Sequence, residues 1–519
     1  MSDNDWQFLL HTASVHANFG RNDSFLALCD QLTKKYPNNP EILAKTSALL
    51  SQYGFISDAK KYLQNALKLL PNNKKYLLDL AHIDLLLGNQ DQFKAICNSL
   101  LELYPNCLDT LSKIIHLSEY SDELSYENRL SLAQQWGAAA INIAGGLKGR
   151  PALRNPENLP LRIGYLSADF CYHTVGILIK EVIANHDSSK FTIYIYHSGF
   201  INDWITDEIK KYCHYINIAT LNDKDLANQI SLDRIDILID LSGHTGGSRL
   251  SVLAYRPAPV LVSMLGYYAT TGFKHVDATI LDAWHITDTT QDCFVEPLVL
   301  LEPGRWCFYP AFPAPLIAPP PVLHKGYVTF GSFNNTLKYN SSVYELWAKI
   351  LQTIPQSRLI LKWRTFNDLE FKMKTINWFS ESGIDPSRIE LRGPSFHMQM
   401  LEEYSDIDIA LDPFPFSGGM TSCEALYMGV PVITLPKERV VSRQTFAFLS
   451  SIGCTELVAN SPNDYIKIAT WLAEDPIKLK EYRDTLRLRM LHSPLMNIRE
   501  FTLSLEECLL KLYTKAFET

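Results

Sequence analysis

An interval of 34 residues constrains this chain more than any other feature of it. Gly20, Gly54 and Gly88 stand 34 apart, and so do Pro37, Pro71 and Pro105. Ala13, Ser47 and Ala81 hold the same phase, as do Asn38, Asn72 and Asn106, each directly after one of the prolines. A unit of that length has room for two short amphipathic helices. Glycine permits the turn between them, small residues let them cross closely, and proline stops the second helix. One such hairpin cannot bury its apolar face alone, so successive copies must stack.

A 34-residue period is that of the tetratricopeptide (TPR) repeat. The phase predicts repeats at about 6–39, 40–73 and 74–107 with a degenerate cap after them, an arm over 1–117, and a helical linker over 118–155. Stacked helix pairs make a concave surface, so the arm, set ahead of the rest of the chain, offers either a groove for a protein partner or a packing or dimerisation module. That remainder is long, since 519 residues imply several domains. The net charge of −8 argues against nucleic acid as a partner, because phosphate binding needs surplus Lys and Arg. Ten cysteines are scattered without a C-x-x-C pair or a Cys/His cluster at zinc-ligand spacing. They read as reduced, mostly buried thiols, and no metal site is expected. The start MSDNDWQFLL lacks a basic segment ahead of an apolar one, and no apolar run is long enough to span a bilayer. The expectation is a soluble, cytoplasmic protein with no membrane partner.

After residue 155 short β-branched runs alternate with helical patterns: 161–166, 191–196 and 235–241, then 327–333, 358–363, 388–392, 407–411 and 430–435. Alternation of this kind argues for βαβ units and parallel sheets. A Pro-rich stretch divides the series and reads as an extended linker. The predicted organisation is therefore an all-α superhelix followed by two Rossmann-like lobes, 156–310 and 326–519, joined through 311–325. Two doubly wound halves place a ligand in the cleft at the carboxyl ends of their strands.

Chemistry concentrates in Asp408-Ile-Ala-Leu-Asp412-Pro-Phe-Pro-Phe-Ser417-Gly-Gly-Met-Thr421-Ser-Cys-Glu424. A buried strand runs into a Gly-Gly turn and then a helix, whose free N–H groups suit a diphosphate. Thr421 and Glu424 have the spacing of a capping box. This segment resembles the O-GlcNAc transferase family, the SPINDLY-type protein glycosyltransferases, which also carry N-terminal TPRs. The resemblance extends over about 155–515. It includes Arg162-Ile-Gly-Tyr-Leu-Ser-Ala-Asp169-Phe-Cys-Tyr-His173, Asp240-Leu-Ser-Gly243-His244-Thr245, Arg256-Pro-Ala-Pro259 with Leu265-Gly-Tyr-Tyr268, Gly331-Ser-Phe-Asn-Asn335-Thr-Leu-Lys338, and Ser442-Arg443.

The resemblance implies a GT-B fold and inverting, metal-independent transfer from a UDP-sugar to Ser or Thr of a protein acceptor. It places Lys338 on the departing diphosphate and His173 in the active site, as orienting group or base. It implies donor binding by Asn335, Ser395, His397, Gly418, Gly419, Met420, Thr421 and Glu424. His244, Thr245 and Tyr268 are candidates for the sugar and acceptor pocket. Four positions depart from the family pattern: Met420, Met400, His397 and Tyr268 stand where relatives usually carry Thr, His, Lys and Pro. These departures bear on the identity of the sugar. Two further readings accompany the first, an N-glucosyltransferase acting on Asn from UDP-glucose and a TPR adaptor whose second half only binds.

Overall fold

The computed structural model describes residues 5–518. Residues 1–4, where the reading of the N-terminus begins, and residue 519, the last assigned to the second lobe, lie outside them.

Eight helices open the chain: α1 (Asp5–Asn18), α2 (Asn22–Lys35), α3 (Pro40–Gln52), α4 (Ile56–Leu69), α5 (Lys74–Leu86), α6 (Gln90–Leu103), α7 (Leu108–Ser118) and α8 (Tyr126–Ile143). They pack as consecutive pairs. Gly20, Gly54 and Gly88 turn each of the first three pairs at φ of 68°, 90° and 74°, and Ala13, Ser47 and Ala81 are buried where the helices meet. The capping asparagine is the one after each periodic asparagine. Asn39 accepts the backbone N–H groups of Glu41 and Ile42, and Asn73 that of Tyr76. Cys107 holds the corresponding place before α7 and makes no such bond. That lost cap marks the degenerate fourth pair, α7–α8, which runs through the stretch expected to be a linker.

The first lobe contains β1 (Leu161–Ser167), α9 (Thr174–Asn185), β2 (Phe191–His197), α10 (Trp204–Ile209), β3 (His214–Asn217), α11 (Asp223–Leu232), β4 (Ile237–Asp240), β5 (Val260–Ser263), β6 (Ala278–Leu281) and β7 (Leu298–Leu300). Its sheet is parallel in the order β3-β2-β1-β4-β5-β6-β7. The second lobe contains α12 (Val322–Lys325), β8 (Thr329–Ser332), α13 (Ser341–Thr353), β9 (Arg358–Lys362), α14 (Leu369–Glu381), β10 (Ile389–Arg392), α15 (His397–Glu403), β11 (Ile409–Leu411), α16 (Met420–Tyr427), β12 (Val432–Ile433), α17 (Gln444–Ser451), α18 (Pro462–Glu474), α19 (Pro476–Leu491) and α20 (Ile498–Glu518). Its parallel order is β10-β9-β8-β11-β12. Strand order reverses between β1 and β4 in one lobe and between β8 and β11 in the other, the two places where doubly wound sheets open a crevice.

Three connections tie these bodies together. The Pro-rich linker is irregular but docked: the Phe312 ring lies 5.4 Å from that of Trp204 and 5.8 Å from that of Tyr172. Helix α20 crosses back to the first lobe, where Glu506 accepts the Asp187 N–H at 2.8 Å and meets His186 Nδ1 at 2.9 Å. The arm touches both lobes. Ser57 donates its N–H and hydroxyl to Asp368 at 2.7 and 2.9 Å. Beside it, Gly54 presses so close to the Arg364 carbonyl that a Cβ would stand 1.9 Å from the oxygen. On the other side Gly137 meets Gly272 as tightly, and Trp136 packs on Phe273 at 5.1 Å.

Candidate active site

The loops after β1, β4, β8 and β11 converge on one cavity of about 500 Å³. The first lobe contributes Asp169, His173, Thr245 and Tyr268; the second contributes Asn335, Lys338, Gly419, Met420, Thr421 and Gln444. His116 of α7 and Tyr120 in the turn after it close the side toward the arm. A parallel sheet delivers its strand ends to one edge, so residues far apart in sequence meet here.

Lys338 is the cation of this cavity. Its Nζ donates to the Ser417 carbonyl at 2.8 Å and sits 4.5 Å from the centre of the Phe416 ring, which attracts it through the ring quadrupole. Two of its three protons are left for a ligand. Burial lowers its pKa to about 8, against the pull of buried Asp412. Asp412 itself is raised by burial. Its carboxylate accepts the Gly418 N–H at 2.5 Å and the Thr434 hydroxyl at 2.7 Å.

The helix start differs from the capping box expected of Thr421 and Glu424. Gly419 is the N-cap and supplies no side-chain bond. Thr421 lies inside the first turn and donates to Asn334 Oδ1 at 2.8 Å, and Glu424 turns to His397. The earliest N–H groups of α16 therefore have neither an intrahelical nor a side-chain acceptor, and they open on the cavity as an anion site. Gly418 does not line it. Its N–H is spent on Asp412, and a Cβ there would stand 2.1 Å from the Ser422 hydroxyl. Its role is to shape the turn.

His173 caps α9: the Val175 N–H donates to its Nδ1 at 3.3 Å. A neutral imidazole accepting there carries its proton on Nε2, so His173 offers the cavity a donor. The Asp169 carboxylate is 3.7 Å from Nδ1, beyond hydrogen-bond range. Burial in turn raises the Asp169 pKa.

His397, Ser395 and Glu424 lie outside the cavity lining. The His397 Nε2–H donates to Glu424 Oε1 at 2.7 Å, and the Tyr172 hydroxyl donates to Nδ1. This chain links the lobes beside the cavity. Ser395 donates to Glu403 at 2.7 Å. His244 is 2% exposed; Ser112 meets its Nδ1 at 2.9 Å, and Nε2 donates to the Thr271 carbonyl at 3.2 Å. Burial lowers its pKa to about 3. It is a neutral interface residue between arm and lobe, and its neighbour Thr245 is the one that reaches the cavity. Tyr268 does line it, with the Arg305 guanidinium 5.0 Å from its ring centre.

Sequence reasoning missed Asp169, Gln444, Trp306, His116 and Tyr120 as lining residues. Asp169 stood in a quoted motif, four residues before His173, without being assigned a role. His116 lies on α7 and Tyr120 in the turn after it, four residues apart, a spacing common in any amphipathic sequence. Among the described residues no group of three His, Cys, Asp or Glu side chains could hold a metal ion, and no helix is long and apolar enough to cross a membrane.

Comparison with known proteins agrees with this geometry. The profile of glycosyl transferase family 41 matches residues 120–303 and 322–505, interrupted only across the Pro-rich linker. The probable UDP-N-acetylglucosamine–peptide N-acetylglucosaminyltransferase SPINDLY of Oryza sativa subsp. japonica is 36% identical over 397 residues, covering 75% of this chain and 42% of the relative. Its Arabidopsis thaliana counterpart is 35% identical over 369 residues, covering 70% and 40%. The chain thus spans about two fifths of the length of these curated relatives. Among solved structures, a mutant of the Thermobaculum terrenum O-GlcNAc transferase superposes with a TM-score of 0.89 at 29% identity, covering 100% of this chain and 99% of that one.

Proposed function

The chain belongs to glycosyl transferase family 41, and from that premise we propose that it transfers a sugar, GlcNAc or another hexose, from a UDP-sugar to Ser or Thr of a protein, with inversion and without a metal. The observation that carries this reading is the juxtaposition in one cavity of the Lys338 ammonium, the open start of α16 and the His173 imidazole. The first two would face a diphosphate from one lobe, and the third stands on the other lobe where a sugar and its acceptor would lie.

In the proposed reaction the acceptor hydroxyl attacks the anomeric carbon from the face opposite the diphosphate. The new C–O bond forms as the bond to phosphate oxygen breaks, and UDP leaves with that electron pair. Negative charge grows on the departing oxygen, and Lys338 with the N–H groups of Gly419, Met420 and Thr421 would neutralise it. Such preorganised donors are worth about 10²–10³-fold each when aimed at developing charge. His173, with its free proton on Nε2, fits the role of orienting the sugar or acceptor by donation. The acceptor proton then needs another receiver; the Asp169 carboxylate and the departing phosphate are the candidates within the cavity. Asn335 lines the diphosphate side. His397 and Glu424 would meet the ribose after giving up their bond to each other, and the backbone at Ser395 would flank the base. The acceptor chain would arrive past His116, Tyr120 and Thr245, between the arm and the first lobe.

Thermal unfolding with added UDP, GDP or ADP, beside Lys338→Ala, tests the donor site. UDP should raise the midpoint as its concentration passes the dissociation constant, and the variant should respond weakly. Transfer of labelled sugar from UDP-GlcNAc and UDP-glucose, followed by mapping of the modified residue, then distinguishes Ser/Thr from Asn. An intact fold that responds to no nucleotide would leave the adaptor reading in its place.

A further inference from the structure

A second hollow of about 400 Å³ adjoins the first on the arm side. The two share His116, Tyr120, Thr245 and Asn335 along their common rim, so a chain entering one reaches the other. The walls of this groove are the α5 residue His82, the α7 residues Ser112 and Lys113, and the turn following His244.

Its charges are unusual in being unanswered. Lys113 is half-buried and makes no ion pair or hydrogen bond with any described residue. The one carboxylate that lines the groove, Asp109, is turned to Lys74 at 3.1 Å. Asp79 on α5 acts on Lys113 through space, but the two are too far apart to pair. Arg364, in the loop that docks the arm, has no carboxylate partner among the described residues, and it acts electrostatically on His82. The rings of His82 and His116 make no hydrogen bonds among the described residues, and burial holds both neutral at physiological pH. A half-buried cation beside unused imidazoles is costly in isolation, and an incoming carboxylate offsets that cost.

We infer that the groove reads an acidic side chain of the acceptor, with Lys113 as the residue that determines specificity and Arg364 supporting it from the flank. This rests on the acceptor path proposed above. Lys113 lies three residues before His116, and three residues of helix rise about 4.5 Å, roughly the reach of one or two residues of extended chain. The acidic residue therefore falls about two to four positions from the hydroxyl to be modified.

The test uses the full chain and three fluorescent decapeptides that share a central Thr and carry Glu, Ala or Lys at the flanking positions. Their binding is measured by anisotropy with and without UDP, for wild type, Lys113→Ala and Lys113→Glu. Wild type should bind the Glu peptide about 5–20-fold more tightly than the Ala peptide. Lys113→Ala should flatten the series, and Lys113→Glu should prefer the Lys peptide, a reversal that misfolding cannot imitate. Binding of none of the peptides, equal binding of all three by wild type, or a Glu preference that survives Lys113→Glu would each overturn the inference. UDP-induced stabilisation, followed in the same samples, reports on the donor site. Its absence would count against the donor reading, whereas lost peptide discrimination with UDP stabilisation intact counts against the groove alone.

Discussion

The two walls of the cleft are finished to different degrees. On the wall built by the second lobe the polar side chains have internal partners, Lys338 with Ser417, Thr421 with Asn334, Asn335 with the Leu337 N–H and Gln444 with Ser417, and only the first N–H groups of α16 stay open. On the arm-side wall Lys113, His82 and His116 have none. A wall already braced holds its donors in place for a ligand that is always the same, and spends little on reorganisation when it arrives. A wall with open valences is completed by its guest, and suits a partner that varies in sequence. The first should behave as a rigid site that tolerates few substitutions, and the second as a selector whose preference a single change can redirect.

The sharpest break of the contrast is Lys338→Ala. Transfer should fall by about 10²–10³-fold or more, with UDP stabilisation weakened, as read by labelled-sugar transfer and thermal midpoint. Gly54→Ala comes next and strikes the seam between the arm and the second lobe. Its φ of 90° and the Arg364 carbonyl leave no room for a methyl group, so a loss of about 2–4 kcal/mol in chemical denaturation is expected. Gly88→Ala, at φ 74° with open space around it, should cost only about 1 kcal/mol. In the surviving folded fraction of Gly54→Ala, peptide modification should suffer more than UDP binding.

A pH series sharpens the comparison further. Diphosphate binds the charged form of Lys338, whose pKa stands at about 8 in the free protein. UDP affinity, measured by calorimetry, should therefore hold below pH 8 and decline above it, by up to about tenfold per pH unit. The arm wall should fail in the opposite direction. His82, His116 and His244 are held neutral by burial, with pKa values lowered from 6.5 to about 3, 4 and 3. The unfolded chain takes up their protons first, so their contribution to stability is complete above pH 6.5 and drains away as pH falls toward 4 and 3. Denaturant midpoints across that window check the sign. Tyr172→Phe should have the smallest effect. It removes one interlobe hydrogen bond to His397, worth about 0.5–1.5 kcal/mol, and should change UDP affinity a few-fold in either direction.

Legibility in the sequence followed the same division. The arm was readable because a strict period survives in Gly, Pro and small residues. The strands read from β-branched runs appear as β1, β2, β4 and β8 to β12, while β3, β5, β6 and β7 went unread. Length does not separate the two sets, since β4, β11 and β12 are as short; β3 and β6 mix polar residues into their runs, as His214-Tyr-Ile-Asn217 and Ala278-Thr-Ile-Leu281, and β5 directly follows Arg256-Pro-Ala-Pro259. Of the site, Lys338, His173 and the Gly-Gly turn stood out through long motifs. The geometry that turns Glu424 toward His397 instead of its own helix start is tertiary and left no local trace. Nor did the arm's share of the cavity: His116 and Tyr120 reach it only because α7 docks on the lobes, and docking is decided by surfaces distant in sequence.

Helix α20 has a consequence for how this molecule can be divided. It follows the last helices of the second lobe yet seals the first, through Glu506 on His186 and Asp187 and through Tyr513 on Arg154 and Asp236. Severing the Pro-rich linker would therefore not yield two free-standing halves. The upstream piece would lose its cover over α9, and the downstream piece would carry an orphaned apolar helix. The chain crosses between the lobes twice instead of once, so the two halves are held to each other at two separate places.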